Sequence, residues 1–493
     1  MNTWSDKIFY EIFVQSFADS NGDGIGDLPG LTQRLDYLAE LGIDAIWLMP
    51  VHPSPSYHKY DVVDYYGIHP DYGTMEDFKE FLHQAHQRGL KVILDLVVNH
   101  TSHLHPWFIE SQKGPDNPYR EYYIWRDLEE VKDEISKKEL TTDSDNLTQW
   151  HQSGDDPERY YGFFWHEMPD LNFDSPKVRE EVFKIGEFWL REVGVDGFRL
   201  DAAGHLYPDD RAEDAHAFWR EFTQRMQAIK PDVYIVGEVW GESEKLGGYL
   251  QGLPSLFHFS LGEEVIRSLK EGQPYYDRGE SQAIRQLFDS PDVTEATLLS
   301  NHDQNRIMSE VDGDIARAKL AANILFTLPG APFIYYGEEL GMKGKKPDER
   351  IREPFVWDEE GKDPLQCTWE PLIYNQTDST PPLAMQRLEG HSLWNHYRLL
   401  IALRKSLKSM HKGKLEVLND YSYLIKGEDT IFIAHNLDNT QRKIIIPEPF
   451  ARKEEAFLLP ALSTVVGYEI GGSFYLKLLP DWVYIDLNEE GSN

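Results

Sequence analysis

The sequence predicts an α/β chain: a parallel (β/α)8 TIM barrel, with an inserted subdomain after the third strand and an all-β sandwich domain at the C-terminal end. Three observations predict it. Eight short apolar runs alternate with amphipathic stretches between residues 7 and 339. A segment from 101 to about 172, rich in Asp, Gly, Pro and aromatic residues, is too long for an ordinary βα loop. Beyond about residue 410 the pattern changes to short strands of alternating polarity.

The eight runs, in order, are "KIFYEIFV", "DAIWLMP", "KVILDLVV", "VDGFRLDA", "VYIVGEVW", "SLFHFSL", "ATLLSNHD" and "PFIYYGEE", of which the sixth is the weakest. Runs that are apolar on both faces suit strands buried in a parallel sheet. The stretches "TMEDFKEFLHQAHQRG" and "SPKVREEVFKIGEFWLREVG" have the apolar spacing of crossover helices. The expected division is therefore a barrel from 1–100 and 173–409, an insertion at 101–172, and a C-terminal sandwich at 410–493. Within the insertion, "EEVKDEISKKEL" reads as a solvated charged face.

Composition narrows the function classes. Acidic residues outnumber basic ones by 84 to 49, a formal charge of −35 that repels phosphate backbones, so no nucleic-acid partner is expected. Cys367 is the only cysteine, which rules out an intrachain disulfide and fits a reducing compartment. No apolar run reaches the length of a membrane span, and the N-terminal residues lack a signal-peptide pattern. A cytoplasmic protein without a membrane partner is expected; a mature secreted chain would read the same way. Aromatic residues make up 13% of the chain, which suits either a large aromatic core or surfaces that stack on flat rings.

Working residues of parallel barrels sit at the C-terminal ends of strands. Four of the runs end in polar groups that a structural strand does not need: "DLVVNH" (Asp95, Asn99, His100), "GFRLDAAGH" (Arg199, Asp201, His205), "GEVW" (Glu238, Trp240) and "SNHD" (His302, Asp303). Arg199 and Asp201 are two apart and share a face, so the guanidinium is expected to fork onto the carboxylate and keep it ionised, with a low pKa. Such a carboxylate suits a nucleophile for an anomeric carbon. Glu238, beside apolar Val239 and Trp240, suits a proton donor to the leaving oxygen. Two carboxyls about 5 Å apart imply double displacement with retained configuration. Asp303, helped by His302, is placed to grip sugar hydroxyls at the transition state, and His100 to hydrogen-bond a hydroxyl in the same subsite. Trp240 is either a stacking face or a core residue.

These four segments, in order, resemble the strand-end motifs of the α-amylase family of glycoside hydrolases (family 13). "MPDLNF" (Met168 to Phe173) resembles its fifth motif. The resemblance covers nearly the whole chain and implies Asp201 as nucleophile, Glu238 as general acid/base and Asp303 as transition-state stabiliser. It also implies that Arg199, His100 and His302 line the subsite of the attacked sugar, and that Tyr60 in "KYDVVDYY" stacks beneath it. Ala202 after the nucleophile points to α-1,4 bonds, and Tyr57, three residues before Tyr60, leaves the chain end unblocked, as in an endo-acting enzyme. Gly204 departs from the lysine usual in α-amylases and puts the grip on a more distant sugar in doubt. The implied activity is hydrolysis of starch, maltodextrins or malto-oligosaccharides, with transglycosylation open. "MPDLNF" resembles the group between neopullulanases and oligo-1,6-glucosidases. Alternatives are therefore α-glucosidase, cyclomaltodextrinase or neopullulanase activity, or a trehalose synthase-type isomerase. A non-catalytic carbohydrate-binding or transporter-partner protein would not need the Arg199, Asp201, Glu238 and Asp303 set.

The stretch "DSNGDGIGDLPG", residues 19–30, carries oxygen ligands at positions 1, 3, 5 and 9 of an EF-hand-type spacing. Position 12 is Gly30 rather than Glu, and a predicted strand precedes it, so an EF-hand is excluded. A bare turn is one reading. The family resemblance implies the other: a structural Ca²⁺ clamp of Asp19, Asn21, Asp23, Ile25 (carbonyl) and Asp27. A second calcium site near Asn99 is left open.

Overall fold

The computed structural model describes residues 4–137, 148–275, 278–359, 361–451, 455–470 and 473–485. Eight parallel strands close into a barrel: β1 (Phe9–Ile12), β2 (Ala45–Leu48), β3 (Lys91–Leu96), β4 (Gly197–Leu200), β5 (Tyr234–Gly237), β6 (Ser255–Phe257), β7 (Thr294–Leu298) and β8 (Ala331–Tyr335). They neighbour one another in chain order, with β8 closing onto β1. The sixth strand, weakest in the sequence, is only three residues long because a helix, Phe259–Glu271, begins two residues later.

The chain packs as two compact units, residues 4–46, 85–90 and 257–485 in one and 47–84 and 91–256 in the other. In the second, parallel pairing sets Asp95 of β3 opposite Arg199 of β4, and Leu200 opposite Gly237. β4 starts on Gly197 because a Cβ there would lie 2.0 Å from the Tyr234 carbonyl oxygen. The crossover Met75–Gln87 starts with reciprocal bonds between Thr74 and Asp77, a capping box that satisfies two amides. The helix Pro176–Phe188 runs into a π turn, Trp189–Val193, and stops at Gly194, whose φ of 97° only glycine adopts freely.

The insertion holds a three-stranded antiparallel sheet of Trp125–Asp127, Glu158–Tyr161 and Trp150–Gln152, with Glu158–Tyr161 central. Arg120 ties it together: it pairs with Asp156 and Glu158 and its guanidinium lies 3.5 Å from the Trp125 ring centroid. "MPDLNF" returns to the end of β3, where Leu171 N–H bonds the Asn99 carbonyl and His100 bridges Asp170. The charged stretch within the insertion forms a helix, Leu128–Lys137, that buries Val131 while its charged residues face water. Its last three residues, 138–140, lie outside the described residues.

In the first unit, a six-stranded antiparallel sheet between Lys414 and Ile485 accompanies a two-stranded one, Arg442–Ile446 with Glu455–Leu459. Leu424, Phe432, Val465, Leu476 and Leu478 of the larger sheet share one apolar core with Ile444, Ile446 and Leu459 of the smaller. That is a sandwich, as the alternation in the sequence predicts. No helix among the described residues is long and apolar enough to cross a membrane.

Candidate active site

Arg199 organises the strand-end cluster of the second unit. It is fully buried, and its Nη1 donates to Asp95 Oδ1 at 2.9 Å, Asp95 Oδ2 at 3.1 Å and Asp201 Oδ1 at 2.6 Å. Nη2 donates to Glu238 Oε2 at 2.7 Å. The expected fork onto Asp201 alone is therefore not what forms. One guanidinium is shared by Asp95, Asp201 and Glu238, because the β3–β4–β5 register delivers all three to it. Asp95 is further bound by Trp47 Nε1 at 3.3 Å and by the Tyr60 hydroxyl at 3.0 Å.

The second consequence is electrostatic. The sequence suggests a low pKa for Asp201, but its carboxyl is pushed well above the usual range. Burial is the main cause; Arg199 opposes it, while Glu238 and Asp95 add like charge. Three carboxylates around one cation cannot all ionise at ordinary cost in a buried site.

Glu238 is held on both oxygens. Oε2 also accepts the Ala202 amide at 2.9 Å, and Oε1 accepts Trp240 Nε1 at 3.1 Å. Ala202 has a φ of 46°, a left-handed conformation that a non-glycine residue adopts only under constraint, and it turns this amide onto Glu238. Trp240 thus orients a carboxyl, a role the sequence reading did not include.

His100 Nε2 lies 3.0 Å from the Tyr60 carbonyl oxygen, which can only accept, so Nε2 carries the proton and Nδ1 presents a lone pair. Burial lowers its pKa to about 4, so the ring is neutral. Phe164 packs on His100 with ring centroids 5.5 Å apart, and Phe163 packs on His205 at 4.6 Å. Both phenylalanines come from the insertion, and neither carries a signal in the sequence beyond its aromatic run. Asn99 Nδ2 donates to buried Asp170 at 3.1 Å, and burial raises that carboxyl to about 7.

In the first unit, His302 and Asp303 follow β7. Asp303 Oδ2 lies 2.9 Å from His302 Nε2 and its Oδ1 accepts Arg352 Nη2 at 3.0 Å. His302 Nδ1 is 2.5 Å from Glu11 Oε1 of β1. Burial opposes a charged ring, but Asp303 and Glu11 outweigh it and raise His302 to about 10. His302 is therefore an imidazolium held by a carboxylate on each nitrogen. Glu11 and Arg352 were missed in the sequence. The only signal for Glu11 was a lone carboxylate inside an otherwise apolar strand.

The 19–30 loop is a chain of side-chain-capped turns. Asp19 accepts the amides of Asn21, Gly22 and Gly24; Asn21 accepts that of Asp23; Asp23 accepts that of Ile25. Asp27 accepts from Ser20 and caps the helix Leu28–Gln33 through Gly30. A strand and a 3₁₀ turn precede the loop, so it is no EF-hand. No cluster of three or more His, Cys, Asp or Glu side chains poised for a metal occurs among the described residues. The donor set still fits a hard cation. Asp19 and Asp27 are buried, and no lysine or arginine pairs with them or with Asp23 among the described residues.

Comparison with known proteins agrees with this geometry. Residues 11–413 match the family described as Alpha amylase, catalytic domain. The chain is 45% identical over 459 residues to Alpha-amylase 3 of Dictyoglomus thermophilum, which covers 92% of this chain and 86% of the relative. It is 36% identical over 445 residues to a 4-alpha-glucanotransferase of Thermotoga neapolitana, covering 88% and 96%. The solved structure of the alpha-amylase from H. orenii matches with a TM-score of 0.86 at 41% identity, covering 94% of this chain and 99% of that one. The chain is an enzyme and belongs to the α-amylase family of glycoside hydrolases.

Proposed function

We propose that this enzyme cleaves α-1,4-glucosidic bonds of starch-type glucans and malto-oligosaccharides by double displacement, with Asp201 as nucleophile, Glu238 as general acid/base and Asp303 as transition-state stabiliser. The observation that carries the reading is the single Arg199 guanidinium bonded to both Asp201 and Glu238. It fixes two carboxyls side by side, and burial with like charge from Glu238 and Asp95 pushes the Asp201 carboxyl well above the usual range.

In the first step Glu238 protonates the glycosidic oxygen while a carboxylate oxygen of Asp201 bonds to the anomeric carbon and the C–O bond to the leaving sugar breaks. In the second, Glu238 takes a proton from water, which displaces Asp201 and restores the original configuration. A sugar hydroxyl in place of water gives transglycosylation, and the similarity to a 4-alpha-glucanotransferase supports that branch. Tyr60 and Trp240 offer ring faces to the sugars, and buried His100 holds the Tyr60 carbonyl through Nε2. Arg199 keeps both carboxyls aimed, and His302 acts through Asp303. The hard-oxygen loop of Asp19, Asn21, Asp23, the Ile25 carbonyl and Asp27 would hold Ca²⁺ as a structural ion far in sequence from the acidic pair. The lone Cys367 supports action in a reducing, cytoplasmic setting.

The test is digestion of maltoheptaose with the anomeric form of the products read by NMR. Malto-oligosaccharides released as α-anomers are expected. β-Anomers would overturn double displacement, glucose alone would overturn internal cleavage, and trehalose from maltose would overturn hydrolysis as the main reaction. Asp201→Asn should abolish turnover with the fold retained.

A further inference from the structure

We propose that Glu11, on the first barrel strand, is a positioning residue for the reaction, acting through His302 to fix the carboxylate of Asp303. The proposal rests on the assignment of Asp303 made above.

Glu11 is an unusual residue for its place. It is 1% exposed in a strand whose other residues are Phe9, Tyr10 and Ile12, all buried. A carboxylate in such a strand is costly unless it is engaged. Its engagement is specific: Oε1 lies 2.5 Å from His302 Nδ1, 291 residues away in sequence. The opposite ring nitrogen, Nε2, lies 2.9 Å from Asp303 Oδ2. The imidazole is thus a bridge between a fully buried carboxylate and one whose side chain is 39% exposed.

The other oxygen of Asp303 is held as well. Arg352 Nη2 donates to Asp303 Oδ1 and to Asp348 Oδ2, both at 3.0 Å, while its Nε donates to the His302 carbonyl at 3.0 Å. Asp303 is therefore clamped from two sides by charged donors, one on each oxygen. The two sides differ in how they are secured. Arg352 is a permanent cation. His302 needs a partner on Nδ1 to keep two N–H donors, since a neutral ring offers only one. Glu11 is that partner, and the pair holds the imidazolium charged against its burial. Without the carboxylate the ring loses its reason to keep the second proton and its fixed orientation, and one of the two grips on Asp303 weakens.

The substitution Glu11→Gln preserves shape and one acceptor oxygen while removing the charge. Losing a charge-assisted bond that acts at the transition state should lower kcat about 10- to 100-fold, with KM changed by less than about threefold. A residue that merely filled space would not give this kcat-selective loss in a folded protein, so circular dichroism and melting temperature are recorded beside the kinetics. The decisive measurement is a double-mutant cycle with His302→Asn. If Glu11 works through His302, Glu11→Gln should cost no further activity in the His302→Asn background. Full additivity of the two losses, or wild-type kcat in a folded Glu11→Gln enzyme, overturns the proposal. Should Glu11→Gln fail to fold, Glu11→Asp replaces it in the same cycle and is expected to keep more activity than His302→Asn; equal loss would count against positioning. Asp303→Asn separates the two readings. If it retains full activity, the assignment of Asp303 fails; if it is inactive while Glu11→Gln behaves as wild type, only the present proposal fails.

Discussion

Arg199→Lys should remove most of the activity while leaving a folded protein. Arg199 contacts Asp95 through both oxygens, Asp201 through one and Glu238 through one, and the last two bonds leave from different nitrogens of a planar fork. A lysine keeps the charge but is a single point donor on a shorter reach, so it cannot hold Asp201 and Glu238 at their mutual spacing. Two charge-assisted bonds to the carboxyls proposed to react are then lost, at about 1.5–3 kcal/mol each, or about 3–6 kcal/mol together. Expressed at the transition state, that is about a 10²- to 10⁴-fold fall in kcat/KM. The assay is initial rates on a chromogenic malto-oligosaccharide beside thermal melts. A folded Arg199→Lys enzyme retaining a third or more of wild-type kcat/KM would refute the view that the shared guanidinium aims both groups. Arg199→Met extends the test: it leaves the three carboxylates without a cation and should cost about 3–5 kcal/mol of stability at neutral pH. Mild acid should restore part of that loss by protonating them.

Calcium added to a chelator-treated sample should raise the melting temperature, by about 2.7 kcal/mol of added stability at a hundredfold excess over Kd. The exposed-residue variant Asp23→Ala should blunt the response, and an unchanged wild-type melt would count against the loop as a cation site. Stability should also peak in mild acid. His52 and His100, lowered to about 4, and His396 and His435, lowered to about 3, are all shifted by burial. They stay neutral in the fold, so their contribution is full above about pH 6.5 and is lost as pH falls toward their folded values. Glu338, raised by burial to about 8, and Glu339, raised to about 7, act in the other sense. Their contribution is full below the ordinary carboxyl value and is lost as pH rises to about 7–8. Melting temperature followed from pH 4 to 9 should therefore fall on both sides of a maximum between about 4.5 and 6.5, and Glu338→Gln should flatten the alkaline side. A monotonic rise to pH 9 would show that these buried carboxyls do not govern the profile.

The barrel was legible because its strands are apolar on both faces and its crossovers are not, and because the polar residues that stand out interrupt that pattern mostly toward strand ends. Asp201, Glu238 and Asp303 stood out for that reason. Glu11 sits in mid-strand, where a sequence reading looks for packing, and its partner is 291 residues away. Arg352 lies beyond the eighth strand in a segment without periodicity. The electrostatics were misjudged for a related reason. Spacing two apart pairs Arg199 with Asp201 locally, but Asp95 reaches the same guanidinium only through the parallel register of β3 and β4. Phe163 and Phe164 belong to the insertion, whose fold over its own three-stranded sheet brings them to His205 and His100. Local spacing carries local pairs; closure of a barrel makes the long-range ones.

The charge around Arg199 bears on the order of the two chemical steps. With all three carboxylates ionised, one guanidinium would leave a net charge of −2 in a buried space. Asp95 is the carboxylate committed to the cation, since Arg199 reaches both its oxygens and Trp47 and Tyr60 add donors to one. The excess falls on Asp201 and Glu238, and a single proton relieves it. In the proposed double displacement that proton is what the first step consumes, because it leaves with the departing sugar. In the same proposed step the anomeric carbon bonds to Asp201 and turns its carboxylate into a neutral ester. The like charge beside Glu238 disappears as Glu238 becomes anionic, so the cluster never holds more than one uncompensated negative charge through the cycle. Glu238 is then a carboxylate still fixed by Arg199, Ala202 and Trp240, in place to draw a proton from water or from a sugar hydroxyl. Which of those acceptors reaches the ester decides between hydrolysis and transfer, and that choice is made by the sugar-binding surface rather than by the acid pair.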